Sequence, residues 1–95
     1  MGILQREKVK PMPVAMQNAL SLCYSLRDIL ELYAQEPDVE MLEPLREMLP
    51  TGPALLGPLE ALKTEDSEAI PAIRGIRVWL SQLLRQTISI LKPSA

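Results

Sequence analysis

The chain has 95 residues, with 10 Lys and Arg against 12 Asp and Glu, a net charge of −2 and no histidine. That length fits one small domain. Without histidine the usual general base and the commonest metal ligand are missing, and a single cysteine, Cys23, excludes an internal disulfide and a cysteine–histidine zinc site. A lone thiol suits a reducing compartment or an ordinary place in an apolar core. There are 17 Leu and 7 Ile but no Phe, one Trp and two Tyr. Leu favours helices, whereas strands want the β-branched and aromatic residues that are scarce here. The expected fold is therefore all-α.

Residues 1–13 read as a flexible basic arm. Arg6, Lys8 and Lys10 give it charge, and Pro11-Met12-Pro13 keeps it extended. It shows neither the apolar core of an export signal nor a membrane-spanning run, so a cytoplasmic setting is expected. Residues 14–95 read as a single helical domain.

The spacing predicts a first long helix over about 14–35. Met16, Ala19, Cys23, Leu26, Leu30 and Tyr33 step by three and four, and Ala15, Leu22 and Ile29 widen the face. Pro13 and Pro37 bound it. So broad an apolar face in a short chain suggests self-association through those six residues, most simply as a homodimer.

Residues 38–63 are helical but interrupted by prolines. Asp38 caps a short helix running to Leu49, Pro50-Thr51-Gly52-Pro53 forms a turn, and a second short helix spans about 53–63. Pro44 and Pro58 either kink these helices or start shorter ones, and the sequence does not choose. Residues 41–48 and 55–62 share an apolar-apolar-x-Pro-Leu pattern at an offset of 14, too short a period for a solenoid repeat. Thr64 to Glu68 is an acidic stretch suited to capping the next helix.

A second long helix is predicted over about 70–92, with Ile73, Ile76, Leu80, Leu83, Thr87 and Ile90 on its apolar face. Eleven of the 12 carboxylates lie between Asp28 and Glu68, and none follows Pro71. Arg74, Arg77, Arg85 and Lys92 instead form a basic stripe along one edge of this helix. Gly75, Gln82 and Ser89, spaced by seven, form an uncharged seam that would let a second copy approach closely. Trp79 sits at the rim of the face as a candidate anchor, since Trp is enriched at interface hot spots.

These features predict a non-enzymatic protein–protein interaction module: an adaptor, assembly factor or small regulatory subunit, needing no cofactor and no metal. The expected partner is a protein with an acidic or apolar helix-binding surface, contacted by Arg74, Arg77, Trp79, Arg85 and Lys92. The alternative is a peripheral membrane or nucleic-acid surface bound by the same basic helix. Four cations on a chain of net charge −2, with no aromatic residue on the arginines' edge of the helix, make a weak nucleic-acid footprint.

Overall fold

The computed structural model describes residues 12–92, and within them the chain is helical with no strand. The basic stretch 1–11, most of the expected arm, lies outside the described residues. Helix α1 spans Val14–Gln35, α2 Leu42–Met48, α3 Thr51–Glu65 and α4 Ile70–Leu91. Short 3-10 turns at Val39–Met41 and Ser67–Ala69 lead into α2 and α4.

Both long helices begin and end within a residue of their expected bounds. Pro13 precedes α1, and its carbonyl accepts from the Met16 and Gln17 amides at 3.0 Å. At the far end the Glu36 amide closes onto the Leu32 carbonyl at 2.9 Å, and Pro37 follows. The Asp38 carboxylate accepts from the Glu40 amide at 3.0 Å, satisfying a donor at the start of the turn into α2.

The structure separates the two prolines. Pro44 is the third residue of α2, where an amide has no helical partner to lose. Pro58 is the eighth residue of α3 and stands in the helix interior, on the exposed side. The 14-residue similarity is thus not a repeat of equivalent helices. It does place Leu45 and Leu59, the residue after each proline, at two fully buried positions.

Two boundaries depart from expectation. Residues 50–53 do not form a turn: only Leu49 and Pro50 do, and α3 already runs at Thr51 and continues to Glu65. Gly52 thereby falls in the first turn of α3. A Cβ there would stand 2.6 Å from Leu84 Cδ2, so the missing side chain is what lets the start of α3 lie against α4. The Thr64–Glu68 stretch provides no side-chain cap for α4. Thr64 and Glu65 are absorbed into α3, and Ala69 occupies the N-cap position of α4 with Pro71 in the first turn.

The apolar residues sort into two clusters, which give the topology. Met16 and Ala19 from the start of α1 meet Ile73 and Ile76 from the start of α4, with Leu59 and Leu62 from the end of α3. Leu22, Cys23, Leu26 and Leu30 meet Leu80 and Leu83 further along α4, with Leu45 from α2. Start therefore faces start: α1 and α4 run parallel, and α2 and α3 carry the chain back between them. The result is an up-down-up bundle. Thr87 is the only buried polar residue among those described, and its hydroxyl donates to the Leu83 carbonyl at 2.8 Å, so no unpaired polar group is left in the core. Burial pushes the Cys23 thiol pKa up, which keeps it neutral as a core side chain.

Candidate protein-docking surface

Helix α4 presents two different surfaces to solvent, and the wheel explains why. At about 100° per residue, Arg77 and Leu84 fall toward α3, Trp79 toward α1, and Arg74, Val78, Ser81, Gln82 and Arg85 point outward. Contacts agree on both flanks. Arg77 forms an ion pair with Glu60 of α3, and Lys63 reaches the same carboxylate at 3.3 Å. On the other flank Trp79 packs edge-on against Tyr24 of α1, with ring centroids 5.3 Å apart and an interplanar angle of 81°. Arg27 lies over the Tyr24 ring at 5.0 Å, and its hydrogen bonds to Asp28 raise the guanidinium pKa.

The outward face forms an open depression of about 480 Å³ lined by Arg74, Arg77, Val78, Ser81, Gln82 and Arg85. Val78 is 58% exposed at its floor. No carboxylate lies anywhere on α4. Among the described residues Arg74, Arg85 and Lys92 reach no carboxylate, whereas Arg77 does. The basic stripe is therefore divided: Arg77 is held within the chain, while Arg74 and Arg85 point out to solvent on either side of Val78. These two are eleven residues apart, about 16 Å along the helix.

Of the five residues expected to contact a partner, Arg74, Arg77 and Arg85 line this depression. Lys92 is exposed just beyond the end of α4. Trp79 is not part of the surface, because it is half-buried on the flank that meets α1. No protein-family model matches the chain, and no curated protein and no solved structure matches it either.

The nine residues expected to mediate self-association also divide. Met16, Ala19, Cys23, Leu26 and Leu30 are buried inside one chain, so this part of the broad α1 face covers α2, α3 and α4 rather than a second copy. Tyr33 is half-buried at its end. Gly75, Gln82 and Ser89 remain exposed on the outward side of α4, and a Cβ on Gly75 would meet nothing within 4 Å. Replacing Gly75 by alanine in the isolated chain is accordingly expected to stabilise it by about 1 kcal/mol through helix propensity alone. Urea unfolding of the two proteins measures this. A destabilisation of similar size would show that the position is already covered.

Sequence reasoning missed the Tyr24–Trp79–Arg27 cluster. The signal was present, in an aromatic on the polar side of α1 and another at the rim of α4. Pairing them required knowing that the two helices run parallel.

Among the described residues no helix is long and apolar enough to cross a membrane, and no three acidic or cysteine side chains are grouped to hold a metal.

Proposed function

We propose that the protein is a non-enzymatic interaction module, an adaptor, assembly factor or small regulatory subunit, that docks a protein surface on the outward face of α4 and also self-associates. The observation that carries this reading is the pair Arg74 and Arg85. Both are exposed, neither meets a carboxylate among the described residues, and they flank an exposed Val78 in a shared depression. A charged rim of this kind steers association and sets register, while the apolar floor and small neighbours allow close contact. The fold leaves these side chains free while filling its core with others.

A protein surface fits better than a bilayer or a nucleic acid. Beyond its cations, the outward face of α4 exposes Val78 and Ile88 as its large apolar residues. That is little apolar area for an interfacial helix, and Trp79, the natural membrane-interface residue, is turned toward Tyr24. Two free arginines with Lys92 neutralise few phosphates, and Trp79, the aromatic residue of this helix, is turned away from them toward Tyr24 and so cannot stack a base beside them.

Charge reversal tests the reading. Arg74→Glu with Arg85→Glu should abolish capture of partner proteins from an extract of the native source. The melting temperature should stay close to that of the parent chain, since exposed charges of this kind are worth about 0–1 kcal/mol. Arg77→Glu is a poor substitute, because it sets a carboxylate against Glu60. Unaltered capture by the double variant would dismiss the α4 face as the docking surface.

A further inference from the structure

We infer that, α4 being a docking surface as proposed above, its occupant is the acidic outer face of α1 from a second copy of this chain, joined head to tail. Leu32 is 54% exposed on α1 and sits with Asp28, Glu31 and Gln35 around an open depression of about 360 Å³. Val78 on α4 has the matching situation with the opposite sign, an exposed aliphatic side chain set between arginines. Local pairs trim both patches. Arg27 holds Asp28 at 2.9 Å and Glu60 holds Arg77. In these two patches Glu31 beside Leu32, and Arg74 and Arg85 beside Val78, make no direct ion pair among the described residues. Docking the two faces covers both exposed aliphatic side chains and brings the unpaired charges of opposite sign together. Open space over Gly75 lets the second helix come close.

The arrangement is not a two-fold dimer. A two-fold interface uses the same patch on both partners. Here the two patches lie on the outward sides of different helices, each turned away from its own buried face. One joint therefore leaves a free basic face at one end and a free acidic face at the other, and further copies can add. The contact is also small. A helix of 22 residues offers a strip of about 33 Å by about 10 Å, below the roughly 800 Å² per partner of a stable interface. Association is accordingly weak, concentration-dependent and sensitive to salt.

Sedimentation equilibrium of the full chain from about 10 µM to about 1 mM tests this, a range in which so small an interface assembles. The weight-average mass should rise without levelling at two copies. Raising the salt from about 0.1 M to about 1 M shortens the screening length from about 10 Å to about 3 Å and should weaken association about tenfold. Arg74→Gln with Arg85→Gln removes one face, and Glu31→Gln with Leu32→Gln removes the other. Each variant alone should remain monomeric, and their equimolar mixture should form a pair that grows no further. A plateau at a dimer, or association that survives both double substitutions, overturns the head-to-tail contact. So does binding of the parent chain to anionic vesicles or single-stranded RNA, lost in the arginine variant, with no self-association. A monomer at every concentration whose partner capture still requires Arg74 and Arg85 overturns this contact alone. A monomer whose capture ignores them overturns the docking surface as well.

Discussion

Leu26→Ala should lower the melting temperature by about 12–40 °C. Leu26 is fully buried where α1, α2 and α4 meet, in the cluster with Leu30, Leu45, Leu80 and Leu83. Truncating a buried leucine costs the lost transfer free energy plus the cavity left behind, together about 3–5 kcal/mol. In a domain of this size each kcal/mol moves the midpoint by about 4–8 °C. Total stability for so short a chain without disulfides lies near the low end of the usual range, about 5 kcal/mol. The substitution therefore removes most of it. Thermal unfolding followed by circular dichroism measures the shift, with exposed Ser25→Ala as a control expected to move stability by less than about 0.5 kcal/mol. A shift for Leu26→Ala as small as that of the control would mean that the described core is not the core in solution.

Gly52→Val should cost about 1–2 kcal/mol net, although glycine in a helix is normally a liability. Gly52 is buried near the start of α3, and an added Cβ would lie 2.6 and 2.7 Å from the two Cδ atoms of Leu84 and 3.1 Å from its Cγ. A branched side chain must push Leu84 aside or move α3 away from α4. Overpacking of this kind costs about 1–3 kcal/mol, more than the roughly 0.5–1 kcal/mol gained by replacing a helical glycine. The overlap is with one side chain, so the penalty should shrink by more than about 1 kcal/mol in a Leu84→Ala background. Urea midpoints of the four proteins of this cycle decide it. Additive costs would show that Leu84 is not what Gly52 accommodates.

The contrast between Gly52 and Gly75 shows where pattern reading stops. Both stand in helices, and neither has a positive φ. One is required by a neighbouring leucine, while the other faces open space. Local sequence around each says nothing of this, because the deciding atoms belong to another helix. The prolines behave similarly. Pro44 and Pro58 share a local motif, but one falls in a first turn and the other inside a helix. What separates them is the distance to the helix start: α2 begins two residues before Pro44, α3 seven residues before Pro58.

The proposed docking surface was half legible. Arg74, Arg77 and Arg85 were identifiable from a one-sided run of positive charge on an amphipathic helix, and the fold brings them to one depression. The sequence did not show that Arg77 is occupied by Glu60 or that Trp79 turns away toward Tyr24. The α1 residues assigned to self-association show a further limit. An apolar face reports that a helix must be covered, but not whether the cover comes from the same chain or another. Leu45, Leu59 and Leu62 supply it from within.

The sequence by itself determined the helices, their two long spans, the face each buries and the separation of charge between the middle of the chain and its last helix. Periodicity and composition act through local backbone preference and burial, so they survive without knowledge of the fold. Only the tertiary structure decided that α1 and α4 run parallel, which cations remain free and which side of α4 stays open. Those outcomes depend on which helix lies beside which. Residues far apart in the chain set that order, through the close approach at Gly52 and the two leucine clusters that turn a 34-residue connection back on itself.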